Sequence, residues 1–275
     1  VYPTHGAGSF CSAPATDRRW TTIGAERRTN PLLGAPDEDA FVAALTASLG
    51  TYPPYFGHLR AVNRAGPRLL GLPQPALPPF DLATFRRHLD AGARLVDTRP
   101  VESWAAGHVP GSLAIALRDD FASWLGWLVE RDQPLVFLVG ADQDRAELVR
   151  QCHQIGYDHL LGELAGGTTA WAAAGLPVAR TGLVDAAEID GRVLDVRQDA
   201  EHAAGHVPGT DHVELGDLIS SVDGLGPVSA VMCGHGERAA TAASILERAG
   251  RPTPAVVRGG PSEWAAATNR RLATG

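Results

Sequence analysis

The stretch Val231-Met232-Cys233-Gly234-His235-Gly236-Glu237-Arg238 carries the residue types that can do chemistry. A short apolar run delivers a thiol to a glycine-bracketed turn, and an alanine-rich helix follows. Two glycines in four residues let successive backbone N–H groups turn inward and form a cradle for negative charge. The helix dipole, the free amides of its first turn and the Arg238 guanidinium all favour thiolate over thiol. Cys233 is therefore the candidate nucleophile, with Gly234, His235, Gly236, Glu237 and Arg238 the candidate binding loop. Glu237 is the awkward member, because a carboxylate in an anion cradle repels an anionic substrate unless it points away. His235 suits a loop donor, a proton relay or a solvated surface residue. Taken alone, Cys233 fits an inert, buried strand-end cysteine better than a nucleophile, so the rest of the chain must decide.

The chain has 275 residues, three cysteines and a formal net charge of -7. This length can build two or three modest domains with real cores, and the acidic balance argues against nucleic acid as a partner. Cys11, Cys152 and Cys233 are far apart and odd in number, which disfavours a disulfide framework or zinc cluster and suits a reducing, cytoplasmic setting. No apolar run approaches the roughly 20 residues that span a bilayer, so no membrane partner is expected.

An internal repeat organises the rest. Asp97-Thr98-Arg99 and Gly107-His108-Val109-Pro110-Gly111 recur as Asp195-Val196-Arg197 and Gly205-His206-Val207-Pro208-Gly209, at an offset of 98. Gly166-Gly167 with Trp171 recurs as Gly259-Gly260 with Trp264, at an offset of 93. On the second offset Arg145 aligns with Arg238, and Gly140 stands where the second copy has Cys233. The first copy thus lacks the nucleophile, and its loop, Gly140 to Arg145, carries two acids.

Each copy reads as alternating strands and helices. The first has helices over 81–89, 122–129 and 144–154, a helical turn at 102–106, and strands over 94–97, 113–117 and 135–139. The second has strands over 193–196, 213–215, 230–232 and 255–257, with a helix over 238–249 stopped by Gly250. Continuous apolar strands between helices imply a parallel sheet covered on both faces. Such sheets place ligands at the carboxyl ends of their strands, where Cys233 sits. Cys152, in an apolar-patterned helix, reads as core, as do Trp171 and Trp264.

Two copies of Asp-x-Arg, Gly-His-x-Pro-Gly and Gly-Gly-x-x-x-Trp, with a cysteine loop between the last two in one copy, resemble the rhodanese family in tandem over residues 79 to 275. The resemblance implies an α/β fold of two domains, each a five-stranded parallel sheet flanked by helices. It further implies sulfur transfer: Cys233 takes sulfane sulfur from thiosulfate or a persulfide and passes it to a thiol such as glutathione, or to cyanide. On this reading the loop amides from Gly234 to Arg238 stabilise the persulfide and Arg238 holds the anionic donor. The six-residue loop favours sulfur over phosphate, since related cysteine phosphatases use a longer one. Asp97, Arg99, Asp195, Arg197, His108 and His206 then serve as scaffold. No cofactor is implied for these two domains. A non-catalytic interaction or redox-sensing module is the alternative, and a homodimer is allowed.

The first 78 residues differ in character. A glycine loop bearing His5 and Cys11, the segment Thr22 to Leu33 and a helix over 38–49 resemble the C-terminal end of a metallo-β-lactamase-fold (αββα) domain, as in persulfide dioxygenases fused to rhodanese copies. In that family His5 matches a metal-site histidine, and an iron or zinc centre is implied for a complete domain, with glutathione persulfide as its substrate. The His-x-His-x-Asp-His cluster is not in this sequence, and one histidine does not hold a catalytic metal. Prolines 73, 75, 78 and 79 form an extended linker. The expected domains are therefore 1–78, 79–180 and 181–275.

Overall fold

The computed structural model describes residues 1–2, 20–47, 51–66, 69, 71 and 76–275. His5, Cys11 and much of the proline-rich linker lie outside these described residues. The chain divides into two compact units, Val1–Tyr52 and Pro53–Gly275.

In the first unit, α1 (Ile23–Thr29) starts where the Thr22 hydroxyl accepts the Ala25 N–H at 3.1 Å, a side-chain N-cap. Helix α2 spans Glu38–Ala47, and neither helix buries a residue. No strand occurs among this unit's described residues.

The second unit begins with α3 (Phe56–Ala65), upstream of the boundary expected at residue 78. The reason is packing. A Cβ added at Gly126 would lie 2.2 Å from the Tyr55 ring, so the ring fills the space over that glycine. The first repeat follows as β1 (Pro79–Phe80), α4 (Leu82–Asp90), β2 (Arg94–Asp97), α5 (Val101–Ala106), β3 (Leu113–Ala114), α6 (Phe121–Leu128), β4 (Leu135–Leu138), α7 (Arg145–Gln154), β5 (Leu160–Leu164) and α8 (Gly167–Ala173). The second comprises β6 (Leu183–Asp185), β7 (Val193–Asp195), α9 (Asp199–Ala204), β8 (Asp211–His212), α10 (Leu218–Ser221), β9 (Ala230–Met232), α11 (Glu237–Arg248), β10 (Ala255–Arg258) and α12 (Pro261–Thr268).

Each repeat folds into a five-stranded sheet, in the orders β1-β5-β4-β2-β3 and β6-β10-β9-β7-β8. Every pairing is parallel. The central strands β4 and β9 are buried at every position, as sheets covered on both faces require. Strand β3 stops at Ala114 rather than at Leu117. The Ile115 and Leu117 amides nevertheless still bond the Asp97 and Thr98 carbonyls. Strand β8 likewise precedes the run expected at 213–215, whose Val213 and Leu215 amides reach Asp195 and Val196.

Each copy is also clasped at its end. His108 and Ala179 form an antiparallel bridge, and so do His206 and Ala273. Inside these turns, Asp97 accepts from Arg99 and Asp195 from Arg197, while each arginine also donates to the carbonyl of Gly107 or Gly205.

The two sheets are joined mainly through α11. Residues Ala239 to Leu246 of this helix are all buried, and the small side chains of Ala239, Ala240, Ala242, Ala243 and Ser244 bring the helix backbone close to its neighbours. Ser244 Oγ accepts the Ala114 N–H of edge strand β3 at 3.0 Å, covering an edge that would otherwise be free to pair. Glu247 bridges to His108 Nε2 at 2.8 Å and to the Gly111 N–H at 2.9 Å. The Trp127 ring of α6 lies where a Cβ on Gly216 would come within 2.5 Å. No helix among the described residues is long and apolar enough to cross a membrane.

Candidate active site

Cys233 follows β9 directly and is 1% exposed. Its Sγ accepts the Gly236 N–H at 3.1 Å. That amide is aimed by Gly236 itself, which caps α11 with φ 107°, a left-handed conformation that β-carbon-bearing residues adopt only with strain. The sulfur therefore sits against the N-terminus of a 12-residue helix, the end that carries the helix's partial positive charge. Gly236 is the one loop amide bonded to the sulfur among the described contacts.

Under the loop lies the second Gly-Gly turn. A Cβ on Gly260 would come 2.8 Å from the Cys233 carbonyl oxygen and 2.9 Å from that of Gly234, so the backbones meet where only glycine fits. The Gly-Gly motif, read in the sequence as a landmark beside a core tryptophan, is a packing requirement of the cysteine loop.

The remaining loop residues are placed as follows. Gly234 is partly buried and His235 exposed. Glu237 does not enter the bowl: its Oε1 lies 2.5 Å from Nη1 of Arg118, a residue of the first copy. Arg238, expected to hold the anionic donor, is already engaged. Its Nη1 and Nη2 donate to the two carboxylate oxygens of Glu201 on α9, at 2.6 and 2.8 Å. Burial alone would lower the Arg238 pKa, but this bidentate pair raises it above the usual guanidinium range. Burial likewise opposes ionisation of Glu201, yet the guanidinium holds its pKa below the ordinary glutamate value. The face of Trp124, also from the first copy, lies 5.8 Å from the Arg238 guanidinium carbon, within cation–π range.

Glu201, Arg118 and Trp124 were not legible as site residues. Glu201 had one available signal, because the repeat offset places Ser103 at its position in the copy without the cysteine. Arg118 and Trp124 join the site only through packing between the copies.

The first copy's loop is sealed. Gln143 Oε1 accepts from the Gly140 N–H at 2.7 Å and from Thr98 Oγ1 at 3.0 Å, while its Nε2 donates to the Thr98 carbonyl at 2.6 Å. Arg145 Nη1 donates to the Gly140, Ala141 and Gln143 carbonyls, and the same guanidinium grips Glu163. This loop closes on its own side chains where the other closes on a sulfur. Cys152 is fully buried on α7, and burial pushes its thiol up to about 12, which makes it inert near neutrality.

Beside the site, His202 stacks between His206 and His212, with ring centroids 3.8 and 4.0 Å apart. Among the described residues no group of three or more His, Cys, Asp or Glu is arranged to hold a metal ion.

The rhodanese-like domain family matches residues 81–174 and 181–267. Among solved structures, a metallo-beta-lactamase from Staphylococcus aureus subsp. aureus COL is 24% identical, covering 59% of this chain and 43% of that chain, with a TM-score of 0.45. A thiosulfate sulfurtransferase from Pseudomonas aeruginosa is 19% identical over 72% of this chain and 44% of that one, with a TM-score of 0.33. A rhodanese-like domain protein from Staphylococcus aureus is 20% identical over 34% of this chain and 99% of that one, with a TM-score of 0.29. The chain thus spans less than half the length of the first two.

Proposed function

The chain belongs to the rhodanese-like domain family, of which it carries two copies, and on that premise we propose that the second copy is a sulfurtransferase with Cys233 as its nucleophile. The observation that carries this reading is the Gly236 amide donating to Sγ at the helix N-terminus. In the first half-reaction the thiolate attacks the outer sulfur of thiosulfate or of a persulfide. A new S–S bond forms at Cys233 while the donor's own S–S bond breaks, and sulfite or a thiolate leaves with the bonding pair. In the second half-reaction a thiolate such as glutathione, or cyanide, attacks that outer sulfur. The electron pair of the Cys233 S–S bond then returns to the cysteine. Sulfane sulfur moves between carriers and no external oxidant is consumed.

The bowl is suited to holding the intermediate, because the amide that meets the thiolate also meets the inner sulfur of the persulfide. A sulfur this recessed favours a donor that offers a slim terminal sulfur atom. A free, uncrosslinked thiol suits a reducing compartment such as the cytoplasm.

The resemblance of residues 1–78 to the end of a metallo-β-lactamase-fold domain extends the proposal to a longer protein, in which a metal-dependent domain and this transferase share persulfide substrates. His5, the one candidate ligand, lies outside the described residues, so the proposal assigns no metal chemistry to this chain's residues.

The test is thiosulfate:cyanide and thiosulfate:glutathione transfer by the full chain and by Cys233→Ala, with intact mass after thiosulfate exposure. The proposal expects one added sulfur on the wild type, lost together with activity in the variant. Wild-type protein that neither gains sulfur nor forms thiocyanate sinks it and favours the redox-sensing alternative.

A further inference from the structure

The catalytic loop contains a carboxylate, Glu237, directly before its arginine, and this negative charge works against any anionic donor. Within the second copy the positive charge of Arg238 is already matched by Glu201, so among the described residues of that copy no unpaired cation stands at the helix start to offset it. The offset comes from the other copy. Arg118 stands 2.5 Å from Glu237 Oε1, and its Nε is 2.7 Å from Asp120 Oδ1. Asp120 Oδ2 accepts the Trp124 indole N–H at 3.1 Å, and the Trp124 face lies over Arg238. The contacts therefore run from Glu237 through Arg118, Asp120 and Trp124 to Arg238, and close on two adjacent residues of the loop.

We propose that Arg118, supplied by the copy that lacks a nucleophile, is a specificity-determining positioning residue for the copy that has one. It draws the Glu237 carboxylate away from the bowl and, though shared with Asp120, offsets part of its charge, so that an anionic sulfur donor can approach Cys233. Asp120 and Trp124 fix the direction from which Arg118 reaches across. The copy whose loop lacks a cysteine is thereby a component of the site, and the charge selectivity of the pair depends on both.

The proposal rests on Cys233 being the reacting atom, so its test reads that atom without sulfur transfer. The full chain is alkylated with iodoacetate, an anion, and with iodoacetamide, its neutral counterpart, and Cys233 modification is followed by peptide mass mapping. The ratio of the two rates reports the field at the sulfur, and Arg118→Gln is expected to lower it by roughly three- to tenfold, a range moderated by partial solvent exposure of the pair. The double variant Arg118→Gln with Glu237→Gln is expected to recover the wild-type ratio, because the uncompensated charge is gone. The KM for thiosulfate should follow the same order. An unchanged ratio in Arg118→Gln overturns the proposal. So does a double variant as impaired as the single one, since Arg118 would then act only through folding. A shifted and rescued ratio in a protein that transfers no sulfur would leave this inference standing and remove the sulfurtransferase reading.

Discussion

Glu201 holds Arg238 by both carboxylate oxygens, at 2.6 and 2.8 Å, so the loop's own cation is neutralised before any donor arrives. Glu201→Gln keeps the shape and removes the charge. The expected result is a KM for thiosulfate lower by about three- to tenfold, from one positive charge released near the bowl, with a smaller change in kcat. Because Glu201 is 42% exposed, the cost in stability should stay within about 1 kcal/mol. Steady-state kinetics and a denaturant titration read the two effects separately. A KM that rises instead would mean that the pair holds the loop rather than mutes it.

Gly260→Ala tests the floor of the bowl. The added methyl meets two backbone carbonyl oxygens, which cannot rotate aside as a side chain can, so the cysteine loop must move. A loss of about 1–3 kcal/mol is expected for such overpacking, together with slower alkylation of Cys233. Gly224→Ala is the control: nothing lies within 4 Å of that Cβ, and stability should be nearly unchanged. Equal behaviour of the two variants would show that the Gly-Gly turn does not support the loop.

Gly140→Cys places a thiol at the position in the first copy that corresponds to Cys233. It should not gain sulfur, because Gln143 already occupies that loop, its Oε1 3.2 Å from the new Cβ. Intact mass after thiosulfate exposure should show one added sulfur, as in the parent chain. Two added sulfurs would mean that the missing cysteine is all that silences the copy.

His202 and Glu247 each give the stability a dependence on pH, in separate windows, the lower of which Glu247 shares with Glu201. Burial, then the neighbouring His212 and His206, lowers the His202 pKa in the folded chain. Below the ordinary histidine value of about 6.5 the unfolded chain binds the proton more readily than the folded one. Stability conferred by neutral His202 is therefore present above that pH and declines as pH falls through it. Glu247 is opposed by burial, but His108 and the Gly111 amide hold its pKa below the usual glutamate value. Its contribution is present above about 4.3 and is lost in more acid solution. His202→Trp, which copies Trp104 of the first repeat, should flatten the upper window and leave the lower one. Glu247→Gln should make the lower one shallower, the Glu201 contribution remaining, and cost about 1.5–3 kcal/mol at neutral pH, as loss of hydrogen bonds to a charged group does. Urea midpoints across the pH range check both, and a curve unchanged by either variant contradicts the assignment.

The parts of the fold legible in the sequence were those written in local pattern. The runs 94–97 and 230–232 form strands at those residues, and Asp81 and Asp144 cap the helices that they introduce. Strands β1, β5 and β6 carried less signal. The first and last are short, and β5 is broken by Gly162, where the Phe80 ring and the Pro78 carbonyl fill the space of a side chain. In the site, the cysteine, the turn glycine and the following helix could be read from order alone. The placement of Glu237 and Arg238 could not, because their partners lie 119 and 37 residues away in sequence and are set by packing.

The clasp at the end of each copy bears on how such a chain can arise. The Gly-His-x-Pro-Gly turn of each copy is fastened to residues just past its own last helix, at Ala179 and Ala273, so each copy is sealed by a seam of its own. A segment closed in this way carries its cut points with it when a gene is duplicated. Either duplicate can then change the residue at the head of its loop without unravelling, so a copy that carries Gly140 where its twin carries Cys233 keeps the same enclosure.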